Sequence, residues 1–316
     1  MACISSEPRG GYNRFMRVVG ALLAAIFAAQ GEQPGSLQNI LRRVSEEAEM
    51  LARAAPETLA DETLRQKVRM PPPRFRPRIG AAANQPPAVK WQSREIISEY
   101  TFAAFLDSPG VLHEFRQVVS VDGRPVTTKE KARKTLLFGV RSQDDEFKRR
   151  MLREFEDYGL VGAVADFGQS LLLFGKRNLP NFRFEPAGSA WIGADQVTLL
   201  AFEQIAGSQG ITIFEGNQAL HQPLRGQLRV RRSDSVPLRI SMVSERVKDH
   251  ATIEDEAIVD YRMSQHGIVL PVSIVHRQKV RGELVAENAF QYSPFRKFSA
   301  DSAVRFTEVS PESKKQ

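Results

Sequence analysis

Between Gln196 and Tyr292 apolar and polar residues alternate through successive runs: Gln196–Ile205, Gln227–Arg232, Pro237–Lys248, Thr252–Met263, Ile268–Arg281 and Glu283–Tyr292. A period of two puts one set of side chains on one face of a strand and the other set on the opposite face. The runs are joined by short turns such as Arg232-Ser233-Asp234-Ser235, His266-Gly267 and Arg281-Gly282. Neighbours so closely linked must pair antiparallel, because a parallel pair needs a crossover of about a dozen residues or more. The expected product is a meander with Leu228/Val230, Leu238/Ile240/Met242, Ala257/Val259/Tyr261, Leu270/Val272/Ile274 and Leu284/Ala286/Phe290/Tyr292 facing inward. One face is then covered and the other wet. On the wet face Arg229, Arg231, Arg239, Arg277, Lys279 and Arg281 meet Glu254, Glu256 and Asp260 of the strand between them, which predicts cross-strand ion pairs.

Upstream the pattern is mixed. Ile96–Phe102 and Leu112–Val121 read as strands, the second ending in Asp122-Gly123, which favours a primed hairpin turn. Thr127/Thr128 with Glu130-Lys131 reads as a helix start, and Gln143–Tyr158 places Phe147, Met151, Leu152 and Phe155 on one helical face before Gly159. Phe167–Phe174 is apolar enough for either a helix or a strand. From Ser36, a plausible N-cap, to Ala55 the apolar residues recur at helical spacing, and a shorter helical stretch is expected through Leu59 and Leu64. Residues 70–88 hold six prolines among arginines and read as an extended linker.

The chain begins with a basic stretch, Arg9, Arg14 and Arg17, followed by an uncharged apolar run from Val18 to Ala29. That order is the signature of a secretory signal. As a helix the run spans about 18 Å, short of the roughly 30 Å hydrocarbon core, so cleavage near Gly31 is expected rather than a permanent span. The one cysteine, Cys3, precedes the run, so the processed chain has no thiol for disulfides, thiolate chemistry or Cys-based metal sites. The expected organisation is signal peptide 1–31, N-terminal helical segment 32–69, linker 70–88, sheet domain 89–300 with a helical insert at 127–174, and polar tail 301–316. The fold class is α+β: a curved, mostly antiparallel sheet, an open half-barrel, with helices on its apolar face. The address is periplasmic or secreted.

No catalytic constellation stands out. His113, His221, His250, His266 and His276 show no metal-ligand spacing, no Gly-x-Ser-x-Gly elbow occurs, and glycines are spread singly rather than in a phosphate-cradling loop. Asp144-Asp145-Glu146 sits at a helix start, where acids meet the dipole, and Glu254-Asp255-Glu256 lies in a strand. No cofactor, metal or nucleic-acid partner is expected. The net charge of +7 speaks to solubility and encounter. The basic linker residues Arg65, Lys67, Arg69, Arg74, Arg76 and Arg78 read as a solvated spacer, with contact to an anionic lipid or polyanion as the alternative.

The run Gly226-Gln227-Leu228-Arg229-Val230-Arg231-Arg232-Ser233-Asp234-Ser235-Val236-Pro237-Leu238-Arg239-Ile240, with its V-x-x-x-x-x-x-P-L-R rhythm, resembles a hairpin of periplasmic lipoprotein-carrier domains of the LolA/LolB type. The stretches Tyr261 to Pro271 and Glu287 to Phe298 are similar to the same folds. The resemblance spans about residues 190–298. It implies an open antiparallel sheet closed by helices over a hydrophobic cavity, used to hold acyl chains or, in MucB/RseB-type regulators, to sense envelope components. The N-terminal helix, Pro-rich linker and long insert depart from a simple carrier. Phe202, Ile240, Ile274, Phe290 and Tyr292 on the inner face are the candidate ligand-binding residues; a filled core is the alternative for the same face. The function expected is a non-enzymatic exported protein that binds a lipid or lipoprotein acyl chain or an envelope protein. A periplasmic hydrolase using Asp/Glu or His residues, and an interaction module working through the N-terminal amphipathic helix, are the alternatives.

Overall fold

The computed structural model describes residues 36–71, 89–108, 110–160, 167–207, 211–215 and 218–298. The expected signal peptide at 1–31, nearly all of the linker and the tail at 301–316 lie outside them. Helix α1 (Leu37–Ala54) opens the described chain, its first turn capped by Ser36, whose hydroxyl accepts from the Asn39 N–H. Strands β1 (Thr58–Arg69), β2 (Trp91–Ala104), β3 (Leu112–Val121) and the short β4 (Arg124–Pro125) follow. Next come α2 (Lys129–Arg141), capped by Thr128, and α3 (Asp145–Tyr158), capped by Asp144. After a 3-10 turn (Ser170–Phe174) the chain builds β5 (Phe182–Ile192), β6 (Asp195–Gln204), a hairpin of β7 (Ile211–Glu215) and β8 (Gln218–Gln222), then β9 (Leu224–Arg231), β10 (Pro237–Lys248), β11 (Ala251–Met263), β12 (Val269–Val280), β13 (Glu283–Tyr292) and β14 (Arg296–Lys297).

One large antiparallel sheet runs β4-β3-β2-β1-β13-β12-β11-β10-β9-β6-β5, curved but not closed into a barrel. It consists of two meanders, β1 to β4 and β5 to β13, joined where the first strand pairs with the thirteenth, Leu64 opposite Phe290. The β7–β8 hairpin forms its own small sheet. The turn at Asp122-Gly123 has positive φ at both residues, 51° and 75°, as a primed turn requires. The predicted ion pairs also form: Arg239 with Asp260, and Lys279 with both Glu254 and Glu256.

The main core lies between the inner sheet face, α1 and the 3-10 turn. Ile40, Val44, Ala48 and Leu51 of α1 enter it, together with Leu171 and Phe174 of the turn. The helical insert divides differently from a simple cover over the apolar face. Helix α2 lies against the outer face, where Leu136 joins Leu59, Ala103, Phe115 and Met151 in a second cluster, while Phe155 of α3 enters the inner core. Arg133 of α2 pairs with Glu99 and Lys129 with Asp61, which fixes the helix on the sheet.

Residues 58–69, expected as helix, form β1 instead. Their composition favours helix, but Ala60, Glu62, Leu64 and Gln66 alternate inward and are buried between β2 and β13. The sheet on both sides decides the conformation, because β-structure rewards cross-strand partners more than intrinsic preference. Phe167–Phe174, which periodicity left open, contains the 3-10 turn.

Candidate functional site

Two places in the molecule have the chemistry to do more than fill space. The first is polar and sealed. Arg116 of β3 projects from the inner face, where its Nε lies 2.8 and 3.1 Å from the Glu62 carboxylate oxygens and its Nη2 lies 2.7 Å from Glu114 Oε2. All three side chains are within 2 % of complete burial. The guanidinium also stacks on Tyr100, Phe155 and Phe290, with its carbon 5.1, 4.9 and 5.7 Å from the ring centres. Such a buried cation is held by charge-assisted hydrogen bonds to two carboxylates and by the ring quadrupoles.

Around this trio, buried side chains hold Leu160 and the stretch from Gly168 to Leu171 against the inner face. The Gly168 N–H donates to Glu114 Oε1 at 2.6 Å, the Leu171 N–H to the Tyr261 hydroxyl at 3.0 Å and the Leu160 N–H to Gln66 Oε1 at 2.8 Å. Backbone amides that would otherwise be orphaned in the core are thereby satisfied. At Gly168 a Cβ would come within 2.8 Å of the Tyr100 hydroxyl, so only glycine lets the backbone approach so closely. Burial is the main cause pushing the Tyr100, Tyr261 and Tyr292 hydroxyls up from the usual phenol range, helped at each by nearby Glu114.

Further along the same face His276 and Asp255 form a pair of the kind a hydrolase would use. His276 Nε2 is 3.1 Å from Asp255 Oδ1, and its Nδ1 is 3.2 Å from the Asn288 amide. Burial tends to raise the Asp255 carboxyl, but hydrogen bonds from His276 and Gln278 and the charges of His276 and Arg246 hold it below the usual carboxylate range. Catalysis by such a pair needs one imidazole nitrogen facing a nucleophile or substrate. Here the tautomer protonated at Nε2 donates to Asp255 and accepts from the Asn288 amide at Nδ1, so both nitrogens are occupied, and the Phe167 ring lies 4.9 Å over the imidazole. The geometry is that of a structural pair. Among the described residues no group of three or more His, Cys, Asp and Glu side chains is placed to hold a metal ion.

The second place is apolar and half-open. A cleft of about 700 Å³ lies where the ends of several elements meet. Phe102, Ala103 and Ala104 close β2 there, Leu112 begins β3, Val140 ends α2 and Phe298 follows β14. These six make its walls, with Ala52 near the end of α1 and Pro56 just beyond it, while Glu57, Arg141 and Lys297 stand at the rim. The Phe298 N–H donates to the Glu57 carbonyl at 3.1 Å, which holds the last described segment against the cleft. The Arg141 guanidinium lies 5.1 Å over the Phe298 ring. Among the described residues neither Arg141 nor Lys297 has a carboxylate partner. An apolar trough with cations at its mouth has the lining expected of a small-molecule site.

The five residues singled out from the sequence all face the inner core and lie deep in it. Phe202 packs edge-on against Phe174 and Phe182, with ring centres 5.0 and 5.9 Å apart. Ile274 stands opposite Phe290, and Ile240 is fully buried. Tyr292 packs on Tyr100, 4.8 Å away. None of the five is part of the cleft wall. Sequence reasoning missed the cleft because its residues come from element ends, where no periodicity runs. It missed the buried trio because Glu62 fell in a stretch expected as helix and Glu114 in a strand with no local sign of a partner, and only the pairing of β1 with β2 and β3 brings Arg116 between them.

No protein-family model matches the chain, and no curated protein matches its sequence. Among solved structures it is similar to an outer membrane lipoprotein-sorting protein domain from Vibrio parahaemolyticus, with 8 % identity and a TM-score of 0.34 over 84 % of this chain and 96 % of that one. A DUF1329 family protein from Desulfovibrio piger is similar at 9 % identity and a TM-score of 0.33, over 83 % of this chain and 95 % of that chain. A LolA superfamily protein from Nitrosomonas europaea is similar at 9 % identity and a TM-score of 0.30, over 82 % and 94 %.

Proposed function

We propose that this chain is an exported, non-catalytic binding protein for an apolar ligand of the acyl-chain class, carried free or on a lipoprotein. The observation that carries the reading is the half-open cleft walled by Phe102, Ala103, Ala104, Leu112, Val140 and Phe298. Its volume of about 700 Å³ falls in the range of small-molecule sites. Its floor offers an acyl chain dispersion contacts and relief from water, and its rim cations offer a carboxylate or phosphate head a partner. Export is supported by the basic and then apolar order of residues 9–29. Phe202, Ile240, Ile274, Phe290 and Tyr292 lie in the packed core, outside the cleft wall. In this reading a longer chain reaches them only when α1 and the 3-10 turn shift away from the inner face.

The test is titration of the purified protein with a fluorescent long-chain fatty acid, for wild type and for Ala104→Trp, whose indole fills the trough. Saturable binding that Ala104→Trp weakens by about tenfold or more, a loss of roughly 1.4 kcal/mol, supports the reading. Equal affinity in the two proteins, or no saturable binding to either, rejects it.

A further inference from the structure

Helix α2 carries an outward face that packing against the sheet does not use. Ala132, Leu136 and Gly139 are buried, while Lys131, Lys134, Phe138 and Arg141 are exposed. Their spacing of three, four and three residues lines these four along one helical stripe. Phe138 stands in the middle of it with 71 % of its surface in water, the largest exposure of any described Phe or Trp. Its outer position is fixed by Arg133 and Lys129 of the same helix, which pair with Glu99 and Asp61 of the sheet. The ring meets Phe147 of α3 edge-on at 6.0 Å, and the Arg150 guanidinium covers Phe147 at 5.0 Å. Arg141, one turn beyond Phe138, covers Phe298 in the same way. The turn between β2 and β3 brings exposed Leu106 to the start of α3, where its N–H donates to Asp145.

The charges of this surface are only partly self-neutralised. Lys134 pairs with Glu130 at 3.0 Å, but among the described residues Lys131, Arg141 and Arg150 have no carboxylate partner. On the wet face of the sheet, by contrast, Arg239, Lys279 and Arg277 are each matched by an acid. An exposed phenyl ring set among cations, of which Lys131, Arg141 and Arg150 lack a carboxylate partner among the described residues, suits a surface that is anionic outside and apolar just beneath. The ring gains by leaving water, and the cations gain by meeting phosphate oxygens while their stems lie along the apolar layer. An acidic protein would satisfy the cations but leave Phe138 with no reason to project among them.

We propose that the outer stripe of α2, Lys131, Lys134, Phe138 and Arg141, docks this protein on the surface of an anionic phospholipid bilayer, with Phe138 inserted at headgroup depth. Arg141 also stands at the rim of the cleft, so the docked face brings the cleft mouth beside the lipid. The docking does not require that the cleft bind anything.

The experiment uses the full-length chain bearing Phe138→Trp, compared with wild type to subtract the emission of Trp91 and Trp191. Vesicles of phosphatidylcholine alone, and of phosphatidylcholine and phosphatidylglycerol in equal parts, are titrated in. The proposal expects a blue shift in the emission of the introduced indole with the anionic vesicles only. Adding Lys131→Gln and Arg141→Gln to that variant weakens the partitioning about 30-fold, since each cation near such a surface contributes about 1 kcal/mol. Residues 18–29 are common to every protein compared, so any lipid contact they make does not move this difference. Phe138→Ser reports separately on folding, because an exposed substitution leaves the unfolding midpoint unchanged. No shift, an equal shift with neutral vesicles, or indifference to the two Gln substitutions overturns the proposal. An equal shift with soluble polyglutamate overturns it in favour of an acidic polypeptide, and a shift that follows protein concentration without lipid overturns it in favour of a second copy.

Discussion

Replacing Arg116 by Ala is expected to cost about 3–5 kcal/mol of folding stability, the range for removing one partner of a buried ion pair. The substitution withdraws the guanidinium that lies 2.8 Å from Glu62 and 2.7 Å from Glu114, leaving two carboxylates with 1 % and 0 % exposure facing each other across the gap. It also uncovers the rings of Tyr100, Phe155 and Phe290 on which the cation rests. Domains of ordinary size are stable by about 5–15 kcal/mol, so the loss is a large fraction of the whole. Urea unfolding at neutral pH measures it. Arg65→Ala is the internal comparison: Arg65 and Glu95 also pair at 2.9 Å, but with 65 % and 40 % exposure, and the loss there is expected below about 1 kcal/mol. Replacing the set together, Glu62→Gln, Arg116→Met and Glu114→Gln, is expected to recover much of the Arg116→Ala loss, because no unpaired charge is left buried. If Arg116→Ala falls within about 1 kcal/mol of Arg65→Ala, the trio does not hold the inner face together and the reasoning fails.

Gly226 stands opposite Phe202, and a Cβ there would meet the Ser241 carbonyl at 2.0 Å and the Phe202 ring at 2.7 Å; Gly226→Ala is expected to cost about 1–3 kcal/mol in urea unfolding, the range for overpacking. Tyr100, Tyr261 and Tyr292 have hydroxyls raised first by burial, so the fold favours their neutral forms and loses stability as pH climbs above about 10, where unfolded tyrosines ionise. Their tyrosinate absorption should therefore appear only with unfolding, whereas gradual titration in the native state by all three would contradict their burial. The Glu47 carboxyl of α1 is raised, chiefly by burial and with Asp234 and Glu46 adding to it against Arg43, so its charged form opposes folding. Glu47→Gln should raise the thermal midpoint at neutral pH, with the gain shrinking as pH falls through the carboxylate range.

The second meander was legible because its turns and alternation agree. Pro237–Lys248 and Glu283–Tyr292 have the same ends in sequence and structure, and the inward residues from Leu228 to Tyr292 are nearly all buried. Legibility failed where a strand turns polar groups inward. Glu62 and Gln66 of β1, and His276 and Asn288 of β12 and β13, are buried because partners distant in sequence satisfy them, and no local pattern encodes those partners. Strand β5 escaped notice for the opposite reason, since most of its side chains are exposed and an edge strand has one neighbour to pattern against. The candidate ligand residues were found as an apolar face, which the structure fills with α1 and the 3-10 turn. The cleft depends on where α1, α2 and the ends of β2 and β14 converge, a property of tertiary placement alone.

Ligand binding is the claim on which the functional account rests, and native mass spectrometry of the protein purified from the compartment where it resides tests it most directly. The account predicts a species heavier than the polypeptide by the mass of an apolar molecule, removed by organic extraction and absent from Ala104→Trp. A single species at the polypeptide mass, in both proteins and before any extraction, even after incubation with a long-chain fatty acid, would contradict it.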